Sequence, residues 1–406
     1  MREAILPGLI DDQAPTGEDW LKTWVDDEAS RCRAFPVAGR QVFMAHAGVT
    51  VLPRVVSDAV VHYTEQCSRQ HQEFGGVLKD VEATRSAAAR LLGGSSHEYA
   101  LIGPTSLGLS LVANGLSWKQ GDEIICYRDD YPANVYPWMN LEKRGVVVRY
   151  IDPPEFGRIT PESVFAVLTA QTKLVALASC HFLSGWLLDV ETIGVELRKR
   201  GILFCLDAIQ TIGAMPTSVE YVDFLSADAH KWMLGPLTAG VFFVRKERFA
   251  ELQPTLIGAW NGIAPDFVTQ DTLRFPESGQ RYEPGVLNVA GIYGMAAAWK
   301  MFEKIGIPQV TDRIQQLRSY LREGLVERGF ICAGPSNAAD SSGILACQTN
   351  IRSMGEIFRL LEEAGIIASH RKDRSGQEWV RFSPHFYNTQ AEVDRIFEVL
   401  DQVLLQ

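Results

Sequence analysis

The 406-residue chain has no CxxC pair and no His, Cys, Asp and Glu cluster at metal-ligand spacing, so no zinc site of ordinary pattern is expected. No apolar run approaches the roughly 18 residues that span a bilayer, which argues against a membrane protein. Positive charge is also scarce: 39 Lys and Arg against 49 Asp and Glu give a formal net charge of −10. That balance favours solubility and argues against a nucleic-acid partner, which needs a basic face. It leaves room for a small anionic ligand in a local positive pocket. The opening, MREAILPGLIDDQAPTGEDW, lacks a basic stretch followed by a long apolar core, so no secretory leader is expected. The seven cysteines are scattered and odd in number. Cys126, Cys180 and Cys205 fall in apolar, strand-like runs, where a small buried thiol is usual. A reducing cytoplasm fits this pattern.

What is present is an alternation. EIICY (123–127), VVVRYI (146–151), KLVALAS (173–179) and ILFCLDA (202–208) are short, rich in β-branched residues and almost continuously apolar. Such runs predict strands buried on both faces of a parallel sheet. Helical periodicity lies between them, as in VETIGVELRKRG (190–201), which ends on a glycine stop. The middle of the chain therefore reads as an α/β domain with right-handed crossovers. The end differs. VTDRIQQLRSYLREGLVERG (310–329) and GEIFRLLEEAG (355–365) are amphipathic helices, EWVRFS (378–383) is strand-like, and TQAEVDRIFEVLDQVLL (389–405) opens on a Thr389–Glu392 capping box. A smaller α+β domain is expected there. The boundary falls near residues 288–299, inside a bridging helix, giving a large domain over 45–290 and a small one from 1–44 and 291–406.

SADAHKW (226–232) holds the residue on which a function can hang. Asp207 stands where the strand ILFCLDA should end, and the carboxyl ends of strands form the ligand crevice of open α/β sheets. Lys231 follows the next apolar element, VDFLSADA (222–229). An amine and a carboxylate at the ends of successive strands suit a cofactor with a carbonyl and a basic ring nitrogen. Pyridoxal phosphate is such a cofactor: lysine makes the Schiff base and aspartate keeps the ring nitrogen protonated. A phosphate cradle is available in IGPTSLGLSLVANGL (102–116), where Gly103, Thr105 and Ser106 precede a helix whose N-terminus favours anions.

GPTSLGLSL, DDYPANVYPW, SGWLLD, LDAIQTIGAMP, SADAHKWMLGP, RYEPGVLNVAGIYG and RFSPHFYNT, in this order, resemble the class V aminotransferase group. That group has the PLP-dependent transferase fold type I and includes cysteine desulfurases, selenocysteine lyases, kynureninase and isopenicillin N epimerase. The resemblance runs from about residue 40 to the end. It implies a homodimer with active sites at the interface. It also implies that Lys231 carries the cofactor and moves the Cα proton, Asp207 pairs with the pyridine nitrogen and Gln210 meets the ring hydroxyl. Thr105, Ser106 and His230 match phosphate contacts, Tyr131 the aromatic group stacked on the ring, and Arg381 the arginine that takes the substrate α-carboxylate as a planar fork.

The departures from the group narrow the chemistry. Tyr131 stands where desulfurases and bacterial selenocysteine lyases have histidine, and a phenol of ordinary pKa about 10 is a poor acid–base group near neutrality. Residues 366–382, IIASHRKDRSGQEWVRF, contain no cysteine where desulfurases carry their nucleophile, and Cys347 in GILACQT reads as core. Val286 in the turn GVLN replaces a threonine and offers only its amide to a partner-chain phosphate. Asp228 replaces a serine and is expected to turn away from a phosphate. Phe182 replaces a polar residue. His46 reads as a residue near the substrate mouth or a packed histidine. His385 and Asn388 read as loop-ordering and helix-capping groups, and Trp260 as a phosphate contact or a packed interface aromatic. The expected function is an aminotransferase acting on a small amino acid. A Cα–heteroatom lyase, an epimerase and a PLP-binding protein without turnover are the alternatives.

Overall fold

The apolar runs of the middle form the strands expected of them. The computed structural model describes residues 21, 22, 25 and 27–404; the first twenty residues, on which the leader expectation rests, lie outside them. Seven strands, β2 (Tyr99–Ala100), β3 (Glu123–Cys126), β4 (Val147–Tyr150), β5 (Thr172–Ala178), β6 (Leu203–Asp207), β7 (Phe224–Asp228) and β8 (Gly240–Val244), make one sheet in the order β2-β8-β7-β6-β5-β3-β4. β4, β3, β5, β6 and β7 pair in parallel, while β8 runs antiparallel to both β7 and β2. The sheet is thus mostly parallel.

One strand departs from expectation. β4 is not buried on both faces, and Val147 is 45% exposed. β4 is the edge of the sheet, with only β3 beside it, so no neighbour covers its outer side. β3, β5, β6, β7 and β8 lie inside and are almost wholly buried.

Helices Arg54–Cys67 (α1), Val77–Leu92 (α2), Thr105–Gly115 (α3) and Val190–Lys199 (α4) clothe the large sheet, joined by Val289–Ile305 (α5). α5 packs on both α1 and α2, and Tyr293 stacks on Tyr63 at 5.0 Å between ring centroids. The C-terminal part adds α6 (Ile307–Glu327), α7 (Met354–Glu363) and α8 (Gln390–Leu404). The antiparallel strands β12 (Ser369–Lys372), β13 (Glu378–Phe382), β10 (Leu345–Gln348) and β9 (Ile331–Cys332) form a second sheet in that order. β1 (Val42–Phe43) pairs with β11 (Ile366–Ile367), so the beginning of the chain is stitched to its end.

β13 alternates as a strand covered differently on its two faces should. Val380 and Phe382 join Leu345, Cys347 and the apolar stripes of α6, α7 and α8 in one core layer. Trp379 instead clusters with Leu183 and Ala346, on the face turned to the loop after β5. The α8 capping box forms: Thr389 Oγ1 accepts from Glu392 N at 3.2 Å and Glu392 Oε2 accepts from Thr389 N at 2.9 Å. Asn388 does not cap the helix; its side-chain nitrogen donates to Glu392 Oε2 at 2.9 Å and so holds the capping glutamate in place. Among the described residues no helix is long and apolar enough to cross a membrane, and no group of three His, Cys, Asp or Glu could hold a metal.

Candidate active site

The carboxyl ends of β6 and β7, the N-terminus of α3 and the β12–β13 hairpin converge on one cavity of about 300 Å³. The eight residues to which the resemblance gives cofactor or substrate contacts all line it: Thr105, Ser106, Tyr131, Asp207, Gln210, His230, Lys231 and Arg381. Arg371 and Phe182 complete much of its wall.

Asp207 is the last residue of β6 and is buried. Its Oδ1 accepts from Ile209 N at 3.1 Å. Burial pushes its carboxyl up to about 6, the backbone donor and the Lys231 amine pulling the other way. Lys231, three residues beyond β7, is buried as well. Burial brings its amine down to about 8; Asp207 opposes this, and Arg381 and Arg371 add to it. The two groups feel each other without closing a salt bridge, which leaves room between them.

α3 brings its amino end to this place because it lies unusually close to the sheet. A Cβ on Gly108 would sit 2.4 Å from Ser226 Oγ and 2.9 Å from the Phe242 ring, so only glycine permits the approach. Thr105 Oγ1 accepts from Asp228 N at 2.9 Å and Ser226 Oγ donates to Thr105 O at 3.0 Å, which ties the helix start to β7. The first-turn N–H groups of a helix have no acceptor within its hydrogen-bond ladder, and Thr105 and Ser106 of this first turn line the cavity beside His230. Asp228 is buried but does not line the cavity; its Oδ1 lies 3.2 Å from His230 Nδ1. It turns away, as its charge requires.

Gln210 is oriented by Trp232 Nε1, which donates to its Oε1 at 2.8 Å, and by its own Nε2, which donates to Ala47 O at 3.2 Å. The Tyr131 ring, about half exposed, lies with its centroid 5.2 Å from Lys231 Nζ and meets Phe182 edge-on at 5.6 Å. Its backbone is fixed by Asp130, whose Oδ1 accepts from Tyr131 N at 2.7 Å. Arg381 is fully buried, and its Nη1 donates to Phe182 O at 2.6 Å. Its Nε and Nη2 have no partner among the described residues. Burial and the neighbouring Arg371 both press against its charge, so this guanidinium calls for an anion.

The remaining candidates fall outside the cavity. His46 is buried, its Nδ1 donating to Ser383 O at 2.8 Å and its Nε2 accepting from Tyr387 Oη at 2.9 Å. Its place is in packing. His385 Nε2 donates to Trp232 O at 2.9 Å and ties the small sheet to the segment bearing Lys231. Trp260 and Val286 do not reach the cavity within the chain, and Val286 is 72% exposed. No cysteine lines the cavity; Cys180 is buried and its thiol is pushed up to about 12 by that burial.

Sequence reasoning missed Arg371 and Asp130. Asp130 is buried, and burial plus the Asp207 charge push its carboxyl up to about 7. A signal for Arg371 existed in strand alternation: in SHRK and EWVRF, Arg371 and Arg381 fall on one face once the hairpin register is known.

Residues 42–396 match the family model described as aminotransferase class-V. A curated relative from Methanothermobacter thermautotrophicus, named "Probable cysteine desulfurase", is 27% identical over 392 residues, 91% of this chain and 96% of that protein. Another from Bacillus subtilis, named "Uncharacterized aminotransferase YcbU", is 26% identical over 365 residues, 88% of this chain and 93% of that protein. Among solved structures, the apo cysteine desulfurase from Thermococcus onnurineus NA1 superposes with a TM-score of 0.86 at 24% identity, covering 92% of this chain and 97% of that one. The complex of the cystine C–S lyase C-DES with its product cysteine persulfide gives 0.82 at 20% identity, covering 90% and 98%. These likenesses show the α/β fold type I of the PLP-dependent transferases.

Proposed function

The chain belongs to the class-V aminotransferase family, and on that premise we propose a pyridoxal 5'-phosphate enzyme that transfers the amino group of a small amino acid. The cavity fits that cofactor on three features of this structure. A buried carboxylate and a buried amine face each other without contact, a helix N-terminus opens beside His230, and a buried guanidinium has two unpartnered nitrogens. Lys231 would hold the carbonyl carbon and Asp207 the ring nitrogen. Thr105, Ser106, His230 and the first turn of α3 would hold the phosphate, Gln210 would meet the ring hydroxyl, and Tyr131 would cover the ring.

When bound, the cofactor supplies a ring that takes up the electron pair left as the substrate Cα–H bond breaks. The chain does the rest. Arg381, oriented by Phe182 O, grips the α-carboxylate through its unpartnered nitrogens and so fixes Cα. Lys231, whose amine is brought down to about 8, is in part neutral near neutral pH and can take that proton. Phe182 and Tyr131 shield the amine from water on one side.

The observation that carries amino transfer over sulfur transfer is the cavity wall: it offers the Lys231 amine and the Tyr131 phenol but no thiol. A persulfide-forming route lacks its nucleophile. The names of several relatives favour a second reading, Cβ–S bond lyase activity with release of the sulfur product, which needs no such thiol. We further propose that the protein is a homodimer.

The deciding experiment titrates amino acids against the purified holoenzyme, without keto acid, and follows the visible spectrum and the products. Conversion of the bound cofactor to its amine form identifies transamination. Accumulation of pyruvate and sulfide with the spectrum unchanged establishes the lyase instead.

A further inference from the structure

The β12–β13 hairpin pairs Ser369 with Arg381 and Arg371 with Trp379. Cross-strand partners share a face, and so do residues two apart on a strand. Register alone therefore puts Arg371 on the same face as Arg381, and both line the cavity with Lys231.

The two arginines are held differently. Arg381 is fully buried and anchored. Arg371 is half-buried, and its side chain makes one hydrogen bond, Nη1 to the carbonyl of the adjacent His370 at 3.1 Å. Other charges of the hairpin are paired: Lys372 with Glu378 at 2.8 Å, and Arg374 with Asp129 at 2.6 Å. No carboxylate of the described residues lies within ion-pair distance of Arg371. It is a cation at the cavity with no counter-ion among the described residues.

A charge inventory points to what it meets. Among the described residues the cavity is lined by Lys231, Arg371 and Arg381 against the single carboxylate of Asp207. Under the function proposed above, Lys231 and Asp207 are engaged by the cofactor and Arg381 by the α-carboxylate. Arg371 is left over. We propose that Arg371 receives an acidic group on the substrate side chain, so that the preferred substrate is a small amino acid ending in a carboxylate or sulfinate. This rests on the amino-acid enzyme reading for the identity of the ligand, but the anion site itself can be tested apart from turnover.

Calorimetry on the holoenzyme with succinate and with butyrate tests the site. Succinate should bind about tenfold to a hundredfold more tightly, the range of one charge-assisted contact. Arg371→Met should erase that difference and Arg371→Lys should keep part of it. Equal binding of the two acids, or an unchanged preference in Arg371→Met, overturns the assignment. Rates of cofactor conversion with aspartate, glutamate and cysteine sulfinate, against asparagine, glutamine and alanine, test the substrate class. Acidic substrates should lead, and Arg371→Met should lower their kcat/KM selectively. A loss in equal proportion for acidic and neutral substrates overturns the proposal. If succinate is preferred but no amine changes the spectrum, the anion site stands and the enzyme reading falls.

Discussion

At the scale of the residue, the cavity is a set of charges removed from water and left incompletely paired. Buried ionisable groups shift toward their neutral forms, and both Asp207 and Lys231 do so, to about 6 and about 8. The sign of each effect on stability follows. A carboxyl raised in the fold binds its proton more tightly than in the unfolded chain, so Asp207 costs stability as pH rises from about 4 to about 6. Asp130 acts the same way toward about 7. An amine lowered in the fold loses its proton first, so Lys231 costs stability below about 8 and the cost fades as pH rises to 10.5. Cofactor-free Asp207→Asn should therefore melt higher than the parent at neutral pH. The two should converge below about pH 4, as thermal scans across pH will show. Lys231→Ala should lose the visible absorbance of the linked cofactor and about 10² to 10⁴ in rate. A variant retaining both would remove Lys231 from the mechanism.

At the scale of the element, the position of α3 sets its amino end at the cavity, where the cofactor phosphate is proposed to sit. Its start is fixed by Thr105 and Ser226, and its closeness to β7 and β8 by Gly108. Gly108→Ala adds a methyl where 2.4 Å is available. Overpacking of this kind costs about 1–3 kcal/mol, more than the roughly 1 kcal/mol alanine gains in helix propensity. The variant should unfold at lower urea and bind pyridoxal phosphate more weakly, because the helix end retreats from the site; unchanged affinity would show that α3 does not set it. The β12–β13 hairpin is the second deciding element. Its sequence lacks the cysteine of the desulfurases, and its register delivers two arginines to the cavity instead.

At the scale of the whole molecule, the segment between β8 and α5 carries large exposed apolar side chains: Ile257 at 52%, Phe267 at 71% and Val286 at 72%. Scattered exposed apolar residues need no explanation, but several on one segment suit an interface. The proposed homodimer would bury them and bring the turn around Val286 toward the neighbouring cavity. Sedimentation should give twice the 45.1 kDa of the chain, and Phe267→Asp should shift the protein toward the monomer. A monomeric parent protein would remove the dimer and the role of that turn together.

Much of this was legible in the residues themselves. Continuous apolar runs ending on Asp207 and leading to Lys231 fix strands and where they end, because burial on both faces leaves little choice of pattern. The Thr389–Glu392 box likewise declares its helix, since capping is local. What composition could not reveal depends on which elements become neighbours. β4 became an edge strand only through the sheet order. His46 became a packed histidine through Ser383 and Tyr387, more than three hundred residues away. Arg371 became a cavity residue through a hairpin register, and a slip of one residue would have turned it outward. Local sequence determined the strands, the caps and the positions of Asp207 and Lys231 at or near strand ends, because these rest on short-range periodicity and chemistry; long-range packing alone decided the cavity's walls and its surplus of positive charge.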